Sequence, residues 1–410
     1  MPTFAYTFRD ASGNVRSGTS EAESAETLRR RLQEQGFTVT EVRQVRAHRP
    51  GGGWGRVKLS DLAIFCRQFS TMQDAGVSIV RSLDVLAQQT QSPKLRRIIM
   101  DIQAEVEAGQ TLSKAMSKYP NVFSNLFIGL IRAGEVGGVL EESLQRLAAF
   151  LEADVALRRK VRAAMTYPTI VVIAALAIVI GLVTFILPKF FDVFRDLGIK
   201  EFPVMTQMLM DFSNFLTSRW YVMIAIVVLV VMAFRMFVRT RIGRRLYDRL
   251  KLKLPVFGPL NHKIALARFS RTLSTLLSSG VPILQALETV AGTVANEIIA
   301  EAVMEARARI REGDRIGPPL EKSGMFPPMV VHMISIGEES GALDQMLSKV
   351  ADFYESEVES TLQSLTSAIE PVLIVLLGGM VGFIVISLLL PLITAVQSLA
   401  GGQGGAEGGG

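Results

Sequence analysis

The chain is poor in the side chains most used for chemistry. It has one cysteine, Cys66, and three histidines, His48, His262 and His332, in 410 residues. A single thiol excludes an intramolecular disulfide framework and a thiolate zinc site. Histidines so far apart in sequence leave little material for a metal cluster or a Ser/His nucleophile pair. No H-E-x-x-H, C-x-x-C or Gly-x-x-x-x-Gly-Lys-Ser/Thr run occurs anywhere. No cofactor and no catalytic residue is therefore expected. Charge is scarce as well, at 20% of residues against 49% hydrophobic. A mean hydropathy of +0.33 is too apolar for an ordinary soluble protein. The net charge of +6 leaves nucleic acid, an anionic lipid surface or a cytoplasmic-side bias as explanations.

The apolar residues fall in three runs. No charge lies between Arg162 and Lys189, and Thr169 to Leu187 reads TIVVIAALAIVIGLVTFIL. As a helix this run rises about 28 Å, close to the thickness of a hydrocarbon core. A second run follows Trp220 as YVMIAIVVLVVMAF, then Arg235, then MFV before Arg239. Arg235 can snorkel to headgroups, and Trp220 with Tyr221 suits the opposite interface. The third follows Pro371 as VLIVLLGGMVGFIVISLLLPLITAV, with no charge until Glu407. The expected spans are 166–188, 220–238 and 369–396; the second, being shortest, also admits a buried core helix.

Topology follows from the flanks. The first twenty residues hold no continuous apolar stretch, so no signal peptide is expected and the N-terminus stays cytoplasmic. Arg158, Arg159, Lys160 and Arg162 precede the first span, and Arg239, Arg241, Arg244, Arg245, Arg249, Lys251 and Lys253 follow the second. The segment 189–219 balances its charges and reads as a translocated, periplasmic loop. By parity the Gly-rich tail, 397–410, lies outside too. The basic balance becomes topology, and nucleic acid leaves the partner list.

A repeat organises the rest. FCRQFSTMQDAGVSI from Phe65 pairs with FSRTLSTLLSSGVPI from Phe269. GEVGGVLEESLQRLAAFLEADV from Gly134 pairs with GEESGALDQMLSKVADFYESEV from Gly337, identical at nine of 22 positions. The register persists through Pro168 against Pro371 and Pro188 against Pro391. Each copy, 61–165 and 263–368, is a cytoplasmic helical bundle that ends in a span. The second span lies outside the repeat and keeps both copies on one side. The apolar stripes Leu62, Phe65, Phe69, Met72 and Phe269, Leu273, Leu276, Leu277 fit helices. Gly76 and Gly280 break the first helix of each copy, and Gly109 and Gly313 end a later one. Residues 239–262 form a basic connector.

The first 46 residues differ, reading as a strand hairpin, a helix with Gly36 after it, and a third strand. That makes a small N-terminal α+β domain, joined by a flexible Gly-rich linker over 47–60. The fold class is mainly α, polytopic in a membrane. Arg29, Arg30 and Arg31 read as a solvated helix face, or as a dock for an acidic partner.

Several motifs carry two readings. Gly134-Glu135 with Gly138, and Gly337-Glu338 with Gly341, sit where one helix yields to the next. Glycine permits the turn, and the glutamate suits the N-terminus of the following helix. The glutamates could instead pair with Arg67 and Arg271, or face a partner. Gly378 and Gly382 make a Gly-x-x-x-Gly face suited equally to intramolecular packing and self-association. Pro168 and Pro371 read as kinks or helix starts at the membrane boundary. Ionisable groups at mid-membrane, the mark of transport or intramembrane catalysis, are missing from the first and third spans. A 31-residue external loop, Pro188 to Ser218, is small for a receptor.

The strings FCRQFSTMQDAGVSIVRSLDVL, IRAGEVGGVLEESLQRLAAFLE, AAMTYP, ISIGEESGALDQMLSKVADFYE and AIEP resemble the type II secretion F-domain family. Its members are inner-membrane platform proteins of type IV pilus and type II secretion machines. The resemblance covers nearly the whole chain; only the tail and the GGGWG linker depart from it. It implies a non-enzymatic scaffold that engages a hexameric cytoplasmic secretion ATPase, pilin or pseudopilin subunits and other inner-membrane assembly proteins, and that forms a homo-oligomer. The wording of the first copy is closer to pilus assembly, with type II secretion the alternative.

Overall fold

The computed structural model describes residues 3–9, 15–21, 26–27, 29–30, 38–45, 56–196, 202–255 and 257–402. The chain divides into two compact units, Met1–Arg56 and Val57–Gly410. In the first, β1 (Thr3–Arg9) lies between β2 (Val15–Glu21) and β3 (Thr38–Val45), antiparallel to both. The register slips between Thr7 and Phe8 against β3. The expected turn at residues 12–14, Arg31 and Gly36, and linker residues 47–55 lie outside the described residues.

The larger unit is helical, and its repeat is visible helix by helix. The first copy runs α1 (Leu59–Asp74), α2 (Ile79–Gln89), α3 (Pro93–Glu107), α4 (Leu112–Ser117), α5 (Asn125–Gly137) and α6 (Leu140–Gly181). A π-helical turn, Leu182–Ile186, carries α6 into α7 (Leu187–Asp196). Then come α8 (Val204–Ser218), α9 (Trp220–Arg239) and α10 (Arg241–Lys253). The second copy repeats the first as α11 (Phe257–Ser278), α12 (Ile283–Thr293), α13 (Glu297–Arg311), α14 (Gly317–Lys322), α15 (Pro328–Ser340) and α16 (Leu343–Gly402).

Each bundle forms because its helices are amphipathic and short loops turn them back on one another. Leu62, Phe65 and Phe69 of α1 are buried, as are Phe269, Leu273 and Leu276 of α11. Gly76 and Gly280 hold φ of 75° and 76° at the matching turns. The two bundles share one continuous core. A smaller cluster of Leu157, Leu260, Val358, Leu362 and Leu365 joins α6, α11 and α16.

Among the described residues, three helical stretches are long and apolar enough to cross a membrane: Leu140–Asp196, Tyr221–Arg239 and Leu343–Thr394. The second has none of its apolar window buried within the protein. That removes the core-helix reading of α9, because among the described residues none of that window is buried. The first and third do not begin at the membrane. Helix α16 is 60 residues long, about 90 Å, three times a hydrocarbon core. Bundle and span are one unbroken rod in each copy.

The rods remove one of the two readings of the boundary prolines. Pro168 lies inside α6 and Pro371 inside α16, so neither starts a helix. A proline inside a helix needs only that the carbonyl four residues back go unpaired locally, and a long helix absorbs that loss when its flanks are packed. The segment expected as a loop over 189–219 is largely helix, in α7 and α8. Its amphipathic sequence buries Leu209 and Leu216 against Val183, Leu187, Phe191, Phe194 and Ile384. Helix α16 also continues to Gly402, into the expected tail; residues 403–410 lie outside the described residues.

Candidate functional site

The residues singled out in sequence gather at two matched joints, one per copy. In the first, α5 ends at Gly137 and Gly138 takes φ +69°, the left-handed conformation that closes a helix. The Gly138 position is open space, so backbone conformation, not crowding, selects glycine there. Gly134 is constrained in the opposite way. A Cβ on it would lie 2.7 Å from Ser143 Cβ and 3.0 Å from Leu140 Cα, where α6 crosses. In the second joint Gly341 takes φ +70°, and a Cβ on Gly337 would meet Leu343 Cα at 2.8 Å.

Between the glycines stands the glutamate, and its partner is neither of those expected. The Glu135 carboxylate accepts from the backbone N–H of Leu112 and, at 3.2 Å, that of Ser113. These are the first two residues of α4, which precedes the joint. Glu338 accepts from Ile316 N–H at 3.0 Å, at the head of α14. Each glutamate thus caps the short helix upstream of it, not the helix that follows. Free N–H groups and the helix dipole both favour a carboxylate there. Helix α14 presents fewer donors, because Pro318 and Pro319 occupy its first turn.

The arginines serve a different contact. Arg67 makes a two-pronged bond to Glu152, Nε to Oε1 at 2.7 Å and Nη2 to Oε2 at 2.5 Å. Arg271 reaches Glu355 at 2.9 Å, Asp352 at 2.6 Å and Ser348 at 3.4 Å. Both clamp the first helix of a copy to its long rod. The Arg67 guanidinium holds the Glu152 carboxyl below the usual carboxylate range. The expected pairing of these arginines with Glu135 and Glu338 is therefore replaced by contacts roughly three helix turns into α6 and α16.

The two copies also meet each other, and sequence reasoning missed where. Arg268 of α11 lies 3.2 Å from Asp154 of α6, with both side chains largely buried. Burial pulls the Arg268 guanidinium down from its ordinary value, opposed by Asp154. Arg146 donates to the Ser278 carbonyl, and Lys160 pairs with Glu359 at 2.6 Å. The repeat hid this contact, because the counterpart of Arg268 in the first copy is Ile64, an exposed residue.

In the spans, the terminal prolines are built into one arrangement. Pro188 has no N–H, and the π-helical turn shifts the loss to the Val183 carbonyl, which accepts from Ser213 Oγ at 2.8 Å. Pro391 likewise frees the Ser387 carbonyl, which accepts from Thr206 Oγ1 at 2.7 Å. Thr206 and Ser213 are buried on one face of α8. Among the described residues, no other part of the protein comes within 4 Å of a Cβ placed on Gly378 or Gly382. That Gly-x-x-x-Gly face makes no close helix contact inside the protein.

Among the described residues there is no group of three or more His, Cys, Asp or Glu placed to hold a metal. Cys66 is buried, which pushes its thiol well above the usual range and leaves it unreactive. His262 Nε2 is bonded to the Met325 carbonyl at 2.7 Å. The arrangement is two rods, each clamped by an arginine to the first helix of its bundle and tied to the other through α8.

Comparison with known proteins places this architecture. Residues 65–188 and 269–391 each match the family described as "Type II secretion system (T2SS), protein F". Residues 1–43 match "Type II secretion system protein F, N-terminal domain". The chain is 44% identical to the type IV pilus assembly protein PilC of Thermus thermophilus, over 98% of this chain and 100% of the relative. It is 42% identical to the protein of that name from Myxococcus xanthus, over 97% and 95%. To the type II secretion system protein F of Vibrio cholerae it is 34% identical, over 96% and 98%. Twice-matched along the rods and once at its N-terminus, the chain belongs to the type II secretion system protein F family.

Proposed function

We propose that this protein is the inner-membrane platform of a type IV pilus assembly machine. It couples a hexameric cytoplasmic ATPase to the entry of pilins at the filament base. The observation that carries this reading is the continuity of α6 and α16 from bundle to span. A force applied to a cytoplasmic bundle reaches the membrane through an unbroken helix, without a hinge to dissipate it. The higher identity to two pilus assembly proteins than to a secretion protein supports pilus work over the alternative, the equivalent platform of type II secretion.

In this reading the N-terminus and both bundles are cytoplasmic, and α7, α8 and the C-terminus are periplasmic. The three strands and the described residues 26–27 and 29–30 belong to a small α+β domain over residues 1–46. The ATPase docks on the bundles, pilins approach the spans, and the open face at Gly378 and Gly382 is offered to a second copy. The GE-x-x-G joints are structural, and the protein performs no catalysis of its own. Deleting the gene tests this directly: surface pili and twitching should vanish and return on complementation. Normal piliation with lost exoprotein release would replace it with the secretion reading.

A further inference from the structure

Helix α10 is anchored on one side and uncovered on the other. Its anchored side carries Asp248, whose carboxylate accepts from Glu297 N–H at 3.0 Å and so caps α13. Arg244 and Arg245 reach Glu297 and Glu301 of the same helix at 3.4 and 2.8 Å. Tyr247 packs edge-on against Phe234 of α9, ring centres 5.5 Å apart. These contacts fix the rotation of α10 about its axis. The opposite side is a row of large apolar residues at every fourth position: Ile242 80% exposed, Leu246 56% and Leu250 57%. Leu254 and Phe257 extend the row beyond the helix, each 42% exposed.

A second row runs beside the first. Arg245, Arg249 and Lys253 share one helix face and line an open cleft of about 640 Å³ with His262 and Glu301. Arg249 and Lys253 make no ion pair among the described residues. Counting Arg239 and Arg241, the segment from 239 to 253 holds seven basic residues against one acid, Asp248.

Position decides what covers such a helix. Thr240 caps α10 by accepting from Gly243 N–H at 3.0 Å, one residue after α9 ends. At that corner a Cβ on Gly243 would collide with the Phe237 carbonyl, so the chain turns sharply as it leaves the span. A helix that leaves a membrane at a tight corner, apolar on one side and basic beside it, has the pattern of an interfacial helix.

We propose that α10 lies in the headgroup layer of the leaflet where α9 emerges, with Ile242, Leu246 and Leu250 among the upper acyl carbons and Arg249 and Lys253 on anionic phospholipid headgroups. The proposal rests on the membrane reading above. It makes the second bundle a body held to the bilayer at two places, through α16 and through α10.

The test uses full-length protein with Cys66→Ala, reconstituted in mixed phosphatidylcholine and phosphatidylglycerol vesicles. Spin labels are placed singly at Leu246→Cys, Leu250→Cys and, as a reference within the span, Val228→Cys. Oxygen, which concentrates in lipid, should relax the 246 and 250 labels more than an aqueous nickel chelate does. Stronger relaxation by nickel would overturn the proposal, since the row would then face water. Shielding from both reagents would overturn it too, by showing a protein surface over the row. A water-exposed label at 228 would instead remove the membrane reading itself, and the proposal with it. In the lipid arm, Arg249→Gln and Lys253→Gln should lower the preference of bound lipid for phosphatidylglycerol by about fivefold per charge removed. An unchanged preference would sink the headgroup assignment.

Discussion

At the scale of single residues, the GE-x-x-G string is three separate solutions within five positions. Gly134 is forced by the crossing of α6, Gly138 by its positive φ, and Glu135 by the open N-terminus of α4. Their substitutions should therefore fail differently. Gly138→Ala should cost about 1 kcal/mol, the usual penalty for a left-handed alanine. Gly134→Ala should cost more, since Ser143 and the Leu140 backbone must both move. Glu135→Gln keeps one acceptor but loses the charge, and a melt of the full-length protein should show a loss of about 1–2 kcal/mol. An unchanged melt with lost pilus assembly would move Glu135 from cap to partner contact. Among the arginines, Arg271→Ala should destabilise more than Arg67→Ala, because Arg271 holds three partners and is half as exposed. The Arg67–Glu152 pair is exposed enough that it is worth about 0–1 kcal/mol. Because the Glu152 pKa is lowered on folding, that contribution is present above the unfolded carboxylate pKa. It is lost as pH falls through the lower folded value.

At the scale of elements, the helices of the two bundles and the three spans were announced by the sequence, but how they join was misjudged. The repeat, the apolar stripes and the three runs were all legible because each is periodic or uninterrupted. Continuity across Pro168 and Pro371 was not, since a proline reads locally as a break and only packing overrides it. The helix α8 was also lost, because a segment between two spans with balanced charge reads as a loop. Its one legible trace is the spacing of Thr206, Leu209, Ser213 and Leu216 on a single face. Those hydroxyls give a sharp test. Ser213→Ala and Thr206→Val each leave a proline-freed carbonyl without a donor in an apolar setting, at about 0.6–2 kcal/mol apiece. Pro391→Ala restores a backbone N–H four residues after Ser387, so Thr206→Val should become nearly neutral in that background. Denaturant unfolding of the four proteins measures the coupling. Equal costs for Thr206→Val in both backgrounds would dissolve the link between hydroxyl and proline.

At the scale of the whole molecule, duplication made two alike bundles, and a few unlike residues made them one body. Asp154 and Arg268 bury a charge pair between copies, while their counterparts Glu357 and Ile64 do something else: Glu357 pairs with Lys263 at 2.7 Å, and Ile64 is exposed. A repeat alignment reveals what the copies share, so a contact that depends on their difference is invisible to it. That contact decides whether the protein unfolds as a unit. Asp154→Ala strands the Arg268 guanidinium in a largely buried place, which costs about 3 kcal/mol or more, whereas Lys160→Ala breaks only an exposed pair with Glu359 and should cost under about 1 kcal/mol. Cys66 supplies the readout, because it is buried in the first bundle alone and reacts only when that bundle opens. With Asp154→Ala, thiol labelling should begin at lower denaturant than the loss of total helix, splitting one transition into two. Adding Arg268→Leu removes the stranded charge and should bring the two curves back together. If labelling and helix loss coincide in Asp154→Ala, the shared apolar core and not the charge pair is what binds the bundles into a single cooperative body.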